Sequence, residues 1–233
     1  GSISALTPYY TLLLKLPSII ADLLTTGLLF KLAKKYLSLE LSVLIAAFYA
    51  FNPAILINSA VWGQVDSFFT LLILSALVLL SEKRIGLAAV FFSAAVLMKP
   101  QGIIFLPVLF FELVRQKSLK SWLKVLGSGL VSAAVILLPF ALNLGSFWIF
   151  ELFAGTLGEY PYASVNAFNF FSLLGKNLTA DSAAFLGLSY HTWGMAAIVF
   201  LTLASRFFYS KGKSPERAGA AALLLIAGVF TFS

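Results

Sequence analysis

Long apolar stretches separated by short basic clusters run through almost the whole chain, and no other feature so narrows what it can fold into. A spanning helix needs roughly 20 apolar residues. Eight candidate segments appear, near residues 11–30, 41–60, 67–81, 85–98, 102–114, 123–143, 192–210 and 218–233. The third, fourth and fifth are short. They cross a bilayer only if their flanks snorkel or the bilayer thins, and a re-entrant hairpin among them is the alternative. With 61% hydrophobic and 11% charged residues, against about a quarter charged in soluble domains, a water-soluble fold is excluded. The expected fold class is all-α: one transmembrane domain, a polytopic helical bundle of about eight spans.

The basic residues give this bundle an orientation, because cytoplasmic loops carry the excess of Lys and Arg. Lys31, Lys34 and Lys35 follow the first segment, and Lys83 and Arg84 the third. Arg115, Lys117, Lys120 and Lys124 follow the fifth, while Arg206, Lys211, Lys213 and Arg217 surround the loop after the seventh. Thirteen of the sixteen cations thus share one side, and that alternation supports eight crossings. Lys15, Lys99 and Lys176 are left for the outer side or its membrane margin. The net charge of +7 therefore reflects membrane topology, with membrane lipids as partners and no nucleic acid.

Both termini fall outside in this arrangement, and the last segment stops after about 16 residues, short of a comfortable span. The expectation is a fragment that lacks at least one upstream helix and the C-terminal part. Gly1-Ser2 has the form of a protease scar and is set aside. The absence of cysteine excludes disulfides and thiolate chemistry, and one histidine does not supply a His-built metal site. The longest extramembrane stretch, residues 144–191, lies outside as an outer loop. It carries Phe147, Trp148, Phe150, Phe168, Phe170 and Phe171, so short interfacial helices are expected, with Glu151, Glu159 and Asp181 turned to water.

Three polar clusters converge on the outer side. The first, Asn58-Ser59-Ala60-Val61-Trp62-Gly63-Gln64-Val65-Asp66-Ser67, reads as a tight turn. Gly63 permits it, Trp62 offers a flat face to a sugar ring, and Gln64 and Asp66 supply hydrogen-bonding groups. An ordinary interfacial turn, with Trp62 as anchor and Asp66 as helix cap, explains the same residues. The second is Lys99-Pro100-Gln101, where Lys99 suits a phosphate or is a snorkelling interface residue. The third runs from Glu159-Tyr160-Pro161-Tyr162 to Ser164-Val165-Asn166-Ala167-Phe168-Asn169. It is either a sugar-binding mixture of acid, phenol and amide or a loop packed on itself. Within the first segment, Lys15 and Asp22 lie seven residues apart, on nearly one helix face. Intramembrane charges are functional candidates by default, although Asp22 also suits a structural pairing with another helix. His191, beside Trp193 at the outer start of the seventh segment, is an acid, a base, a hydrogen bonder to sugar or a plain interfacial residue.

Taken in order, Lys15-Leu16-Pro17-Ser18-Ile19-Ile20-Ala21-Asp22-Leu23, Phe51-Asn52-Pro53, Trp62-Gly63-Gln64-Val65-Asp66-Ser67, Lys99-Pro100-Gln101 and Ser164-Val165-Asn166-Ala167-Phe168-Asn169 resemble one family. It comprises the prokaryotic relatives of the second mannosyltransferase of GPI-anchor synthesis, within the GT-C glycosyltransferases. The resemblance covers about residues 10–175 and rests on several motifs in the right order. It implies a prokaryotic plasma-membrane enzyme that transfers a hexose, mannose or similar, from a polyprenyl-phosphate donor to a glycan or lipid acceptor, on the non-cytoplasmic face and with inversion. No cofactor beyond that lipid-phosphate sugar follows from it, and metal dependence is left open. It also implies a catalytic acid in the first outer loop, ahead of the residues present. Asp66 is the acid left in a suitable place. Lys99, Gln101, Lys15, Trp62, Gln64, Tyr162, Asn166, Asn169 and His191 are the candidates for donor and phosphate binding.

Two other classes share the composition. A transporter or lipid flippase would use Lys15 and Asp22 as a coupling pair near the midplane, but the chain shows no second half repeating the first. A non-catalytic membrane scaffold subunit is the third reading.

Overall fold

The computed structural model describes residues 9–144, 148–157, 161–165, 167, 169–211 and 214–232. Most of the described residues are helical, and one small hairpin lies among them. The helices are α1 (Tyr10–Ala33), α2 (Leu39–Ala50), α3 (Pro53–Leu56), α4 (Asp66–Ser81), α5 (Ile85–Met98), α6 (Leu106–Gln116), α7 (Leu119–Leu144), α8 (Trp148–Leu157), α9 (Phe170–Leu173), α10 (Tyr190–Lys211) and α11 (Ser214–Phe232). A wide π-turn, Ile57–Trp62, follows α3, and a 3-10 turn, Pro100–Phe105, precedes α6.

Among the described residues, four helical stretches are long and apolar enough to cross a membrane: Tyr10–Ala33, Leu39–Trp62, Leu119–Ala141 and Tyr190–Lys211. Shorter apolar helices run over Asp66–Ser81, Ile85–Met98 and Arg217–Phe232. At about 1.5 Å per residue, α4 and α5 span only roughly 24 and 21 Å of a hydrocarbon core of roughly 30 Å. Large apolar side chains nevertheless face outward along these helices. Phe48 and Phe51 are 75% and 76% exposed, and Leu123, Leu130, Val135 and Leu138 line one side of α7 in the same way. Water does not tolerate so much contiguous apolar surface, whereas lipid does, so this is a membrane protein.

Local chemistry explains where the helices start and break. Ser38 caps α2 by accepting the Leu41 amide. The apolar segment that would continue α2 is interrupted at Asn52-Pro53, where the Asn52 side chain accepts the Ala54 amide at 2.9 Å and Pro53 occupies the first helical position. The segment near 102–114 is likewise two pieces. Pro100 opens the 3-10 turn, Pro107 sits in the first turn of α6, and Lys117 ends that helix in the left-handed region.

Cα packing divides the chain into two units, the first ending at Ser75 and the second beginning at Ala76, with the boundary inside α4. In the first, α1 packs on α2 and on the π-turn. In the second, α5 packs on α7 and α10 on α11. Small residues let the backbones of α5 and α7 approach: Ala88 and Ala95 are buried, and Ser93 donates to the Gly129 carbonyl at 3.1 Å.

The stretch after α7 is only partly helical. It contains α8, with Phe150, Glu151 and Leu152 exposed, and the single turn α9. Residues 161–164 instead pair with 178–181, the Ala163 amide reaching the Thr179 carbonyl and the Leu178 amide the Ser164 carbonyl, each at 2.8 Å. Strands β1 (Ala184–Phe185) and β2 (Leu188–Ser189) form a hairpin whose two turn residues, Leu186 and Gly187, both take positive φ, as a type I′ turn requires. The Trp193 indole donates to the Phe185 carbonyl at 2.8 Å and ties the hairpin to α10. Beneath it, Phe171 and Tyr190 make a buried edge-to-face pair, and Phe185 stacks on Tyr190.

Candidate functional site

The first polar cluster folds as a clamped turn, and α1 is the clamp. The π-turn ends at Gly63, whose φ of +83° only glycine adopts without strain, and the Gln64 amide closes the turn onto the Asn58 carbonyl at 2.9 Å. From α1, the Lys15 ammonium donates to the Val61 carbonyl at 2.7 Å, and the Ser18 hydroxyl donates to the Gln64 carbonyl at 2.8 Å. A Cβ on Gly63 would stand 3.2 Å from Cγ of Lys15, so the lysine stem lies directly on the turn. Lys15 and Ser18 are three residues apart, hence on one face of α1, and Ser18 is buried.

Held this way, the turn displays Trp62, whose side chain is 73% exposed. Asp66 opens α4 as its first residue, one place past the cap position, and its carboxylate accepts from the Asn58 amide at 3.4 Å. The structure therefore gathers Lys15, Trp62, Gln64 and Asp66. It gives Lys15 a backbone partner that leaves two of the three ammonium N–H groups. Wide π-turns of this kind are rare and frequent at functional sites.

Asp22 lies deeper on the same helix and accepts the Tyr49 hydroxyl from α2 at 3.0 Å. This is the structural pairing across helices, and Tyr49 is a partner the sequence reading did not name. Lys15 and Asp22 thus serve separate contacts and are not joined to each other.

In the second unit, Lys99 leaves α5 in an extended conformation, and its carbonyl accepts the Gly102 amide at 2.9 Å. Gln101, exposed, sits in the 3-10 turn that follows. Gly102 explains the sharp bend, since a Cβ there would meet the Val96 nitrogen at 2.8 Å.

Of the third cluster, Glu159, Tyr160, Asn166 and Phe168 lie outside the described residues. Asn169 is buried, 1% exposed, and its amide works within the loop, donating to the Ala163 carbonyl at 3.1 Å and accepting the Ser172 amide at 2.9 Å as the cap of α9. Tyr162 and His191 line one cavity of about 220 Å³ together with Asp181. Nδ1 of His191 stands 3.6 Å from the Asp181 carboxylate, an ion pair whenever the imidazole is protonated. Asp181 was legible only as a water-facing acid; its pairing depends on the backbone bond from the His191 amide to the Asp181 carbonyl, 2.9 Å, which no spacing rule predicts.

A further polar cluster lies at the opposite end of the second unit. Glu112 of α6, 1% exposed, is bound by Arg115, by the Gln116 amide at 2.9 Å and by the Tyr209 hydroxyl of α10 at 2.5 Å. Among the described residues no three His, Asp or Glu side chains converge as metal ligands do.

The sequence model of glycosyltransferase family 87 matches residues 5–233. No curated protein and no solved structure matches.

Proposed function

Because the chain belongs to glycosyltransferase family 87, a family that makes it a membrane enzyme using a sugar donor and an acceptor, we propose the finer reaction as follows. A hexose, mannose or a close relative, passes from a polyprenyl-phosphate donor to an acceptor hydroxyl on the non-cytoplasmic face of a prokaryotic plasma membrane, with inversion. The chain crosses the bilayer about eight times in this reading, with its basic loops in the cytoplasm. The same reading relates the chain to the prokaryotic relatives of the second mannosyltransferase of GPI-anchor synthesis.

The observation that carries the reading is the clamped turn: a bare indole beside amide and carboxylate groups at the end of apolar helices, where a sugar ring would stack on Trp62 and hydrogen-bond to Gln64. In the reaction the acceptor oxygen forms a bond to the anomeric carbon as the bond to the lipid phosphate breaks. The acceptor proton must go to a base within hydrogen-bond reach, and the departing phosphate needs positive charge. Asp66 is the acid this reading assigns to the acceptor hydroxyl or to orienting the sugar. Lys99, with Gln101, is assigned to the phosphate; Tyr162 and His191 are assigned to the outer-loop side of the substrate. The coupling-pair reading of a transporter loses its motive, since Lys15 and Asp22 each hold another partner.

The test uses the full-length protein with polyprenyl-phosphate mannose and candidate lipid acceptors. Wild type is expected to transfer the sugar, and Lys99→Ala and Asp66→Asn to lose at least ten-fold in kcat/KM. Absence of transfer from any such donor overturns the reading.

A further inference from the structure

Between α6 and α10 lies an apolar groove of about 540 Å³. Leu106, Phe110, Phe111 and Val114 wall it from one helix and Leu203 from the other, and its lining holds a single charged residue among those described, Arg206. The groove is prebuilt. Phe111 sits under the Arg206 guanidinium at 5.7 Å and tilts against Tyr209, also at 5.7 Å, while the Tyr209 hydroxyl is anchored on Glu112 at 2.5 Å. That buried bond fixes α6 against α10 just behind the groove floor.

Charge singles out the occupant. Glu112, the acid nearest this floor in the network, is already saturated by Arg115, Gln116 and Tyr209, so it supplies nothing to Arg206. The Arg206 guanidinium lies over the π face of Phe111, which leaves its N–H edge to hydrogen-bond an anion. Arg206 lies toward the C-terminal end of α10, and Val114 toward that of α6, next to Arg115, Lys117 and Lys211. In the orientation proposed above, both ends face the cytoplasmic leaflet, where anionic lipids concentrate and basic pockets between helices bind their head groups.

We infer that this groove is a binding site for one anionic phospholipid of the cytoplasmic leaflet, its acyl chain lying along Leu106, Phe110 and Leu203 and its phosphate on Arg206. The inference rests on the proposed orientation but not on the proposed sugar transfer.

The full-length protein, reconstituted in nanodiscs of equal parts phosphatidylglycerol and phosphatidylcholine and released for native mass spectrometry, reports which lipid stays bound. Phosphatidylglycerol should be retained in preference. Arg206→Ala should cut that preference about five-fold, Arg206→Lys should keep most of it, and Leu203→Trp, which puts an indole into the groove, should lower lipid retention with helicity unchanged. Equal retention of the two lipids by wild type, or unchanged retention in folded Leu203→Trp, overturns the inference. So does a photocrosslinker at Leu203 that captures a segment of protein instead of lipid. Labelling of Lys117→Cys from the outer side would overturn the inference together with the orientation; the lipid outcomes alone leave the glycosyltransferase reading untouched.

Discussion

Two polar clusters stand out in an otherwise apolar chain, and they treat their polar groups in opposite ways. In the first unit, Lys15 and Ser18 hold backbone carbonyls of the turn after α3, so that Trp62 is held in place yet exposed and Gln64 is half-buried beside it. In the second, Glu112, Arg115, Gln116 and Tyr209 hold one another, and the acid is buried at 1% exposure. A closed network, in which each buried polar atom finds its partner, fixes packing and offers nothing to a ligand. An open one, in which side chains brace a backbone whose neighbours stay bare, is how a rigid binding surface is built. On this contrast the Glu112 network is architecture, and the clamped turn is the surface that the proposed reaction would use.

The contrast breaks most severely if the closed network proves dispensable. Glu112→Ala leaves the buried Tyr209 hydroxyl without its acceptor, while the Arg115 side chain, 38% exposed, still reaches polar surroundings, and the change should cost about 2 kcal/mol, visible as a lower melting temperature in detergent. Any fall in sugar transfer should track the loss of folded protein. A Glu112→Ala protein that melts like wild type but transfers no sugar would reassign that cluster to the site.

Gly63→Ala should behave in the reverse way. A left-handed φ with a Cβ costs about 1–2 kcal/mol, and the new methyl meets the Lys15 stem at 3.2 Å. The turn should relax locally, so transfer should fall about ten-fold while the melting temperature moves by no more than a few degrees. Trp62→Ala should be milder still, because an exposed side chain contributes little to packing. Its expected signature is an unchanged melting temperature with a KM for the donor raised about three- to ten-fold. An unchanged KM would return Trp62 to the role of interfacial anchor.

Much of the helical order was legible beforehand because lipid imposes a simple rule on sequence. All eight apolar segments coincide with helices or helical turns, and the punctuation that breaks them, Asn52-Pro53 and Pro100, is written in residues with known backbone demands. Membership in a glycosyltransferase family was legible in the order of motifs, since that order survives without any knowledge of contacts. What stayed hidden was pairing. Glu112 reads as one acid in an apolar stretch, and only the meeting of α6 with α10 brings Tyr209, 97 residues later, to its carboxylate. Ser18 has no distinction in the sequence until the turn carbonyl of Gln64 falls beside it. The outer loop was read as helix-forming from its aromatics, yet Leu186-Gly187 folded part of it into a hairpin, because local turn geometry overrides composition.

The smallest effect probes the seam between the two kinds of cluster. Asp22 shares the helix α1 with the turn's clamp, but its bond with Tyr49 at 3.0 Å joins α1 to α2 and touches no residue of the turn. If the pair is architectural, Tyr49→Phe removes one interhelical hydrogen bond within the membrane, where such bonds contribute about 0.6 kcal/mol on average. The melting temperature should then drop slightly, and kcat and KM should both stay at their wild-type values across pH. A Tyr49→Phe enzyme with altered pH dependence of kcat would instead join Asp22 to the reaction. The open cluster would then extend one more turn down α1, from Ser18 toward the middle of the membrane.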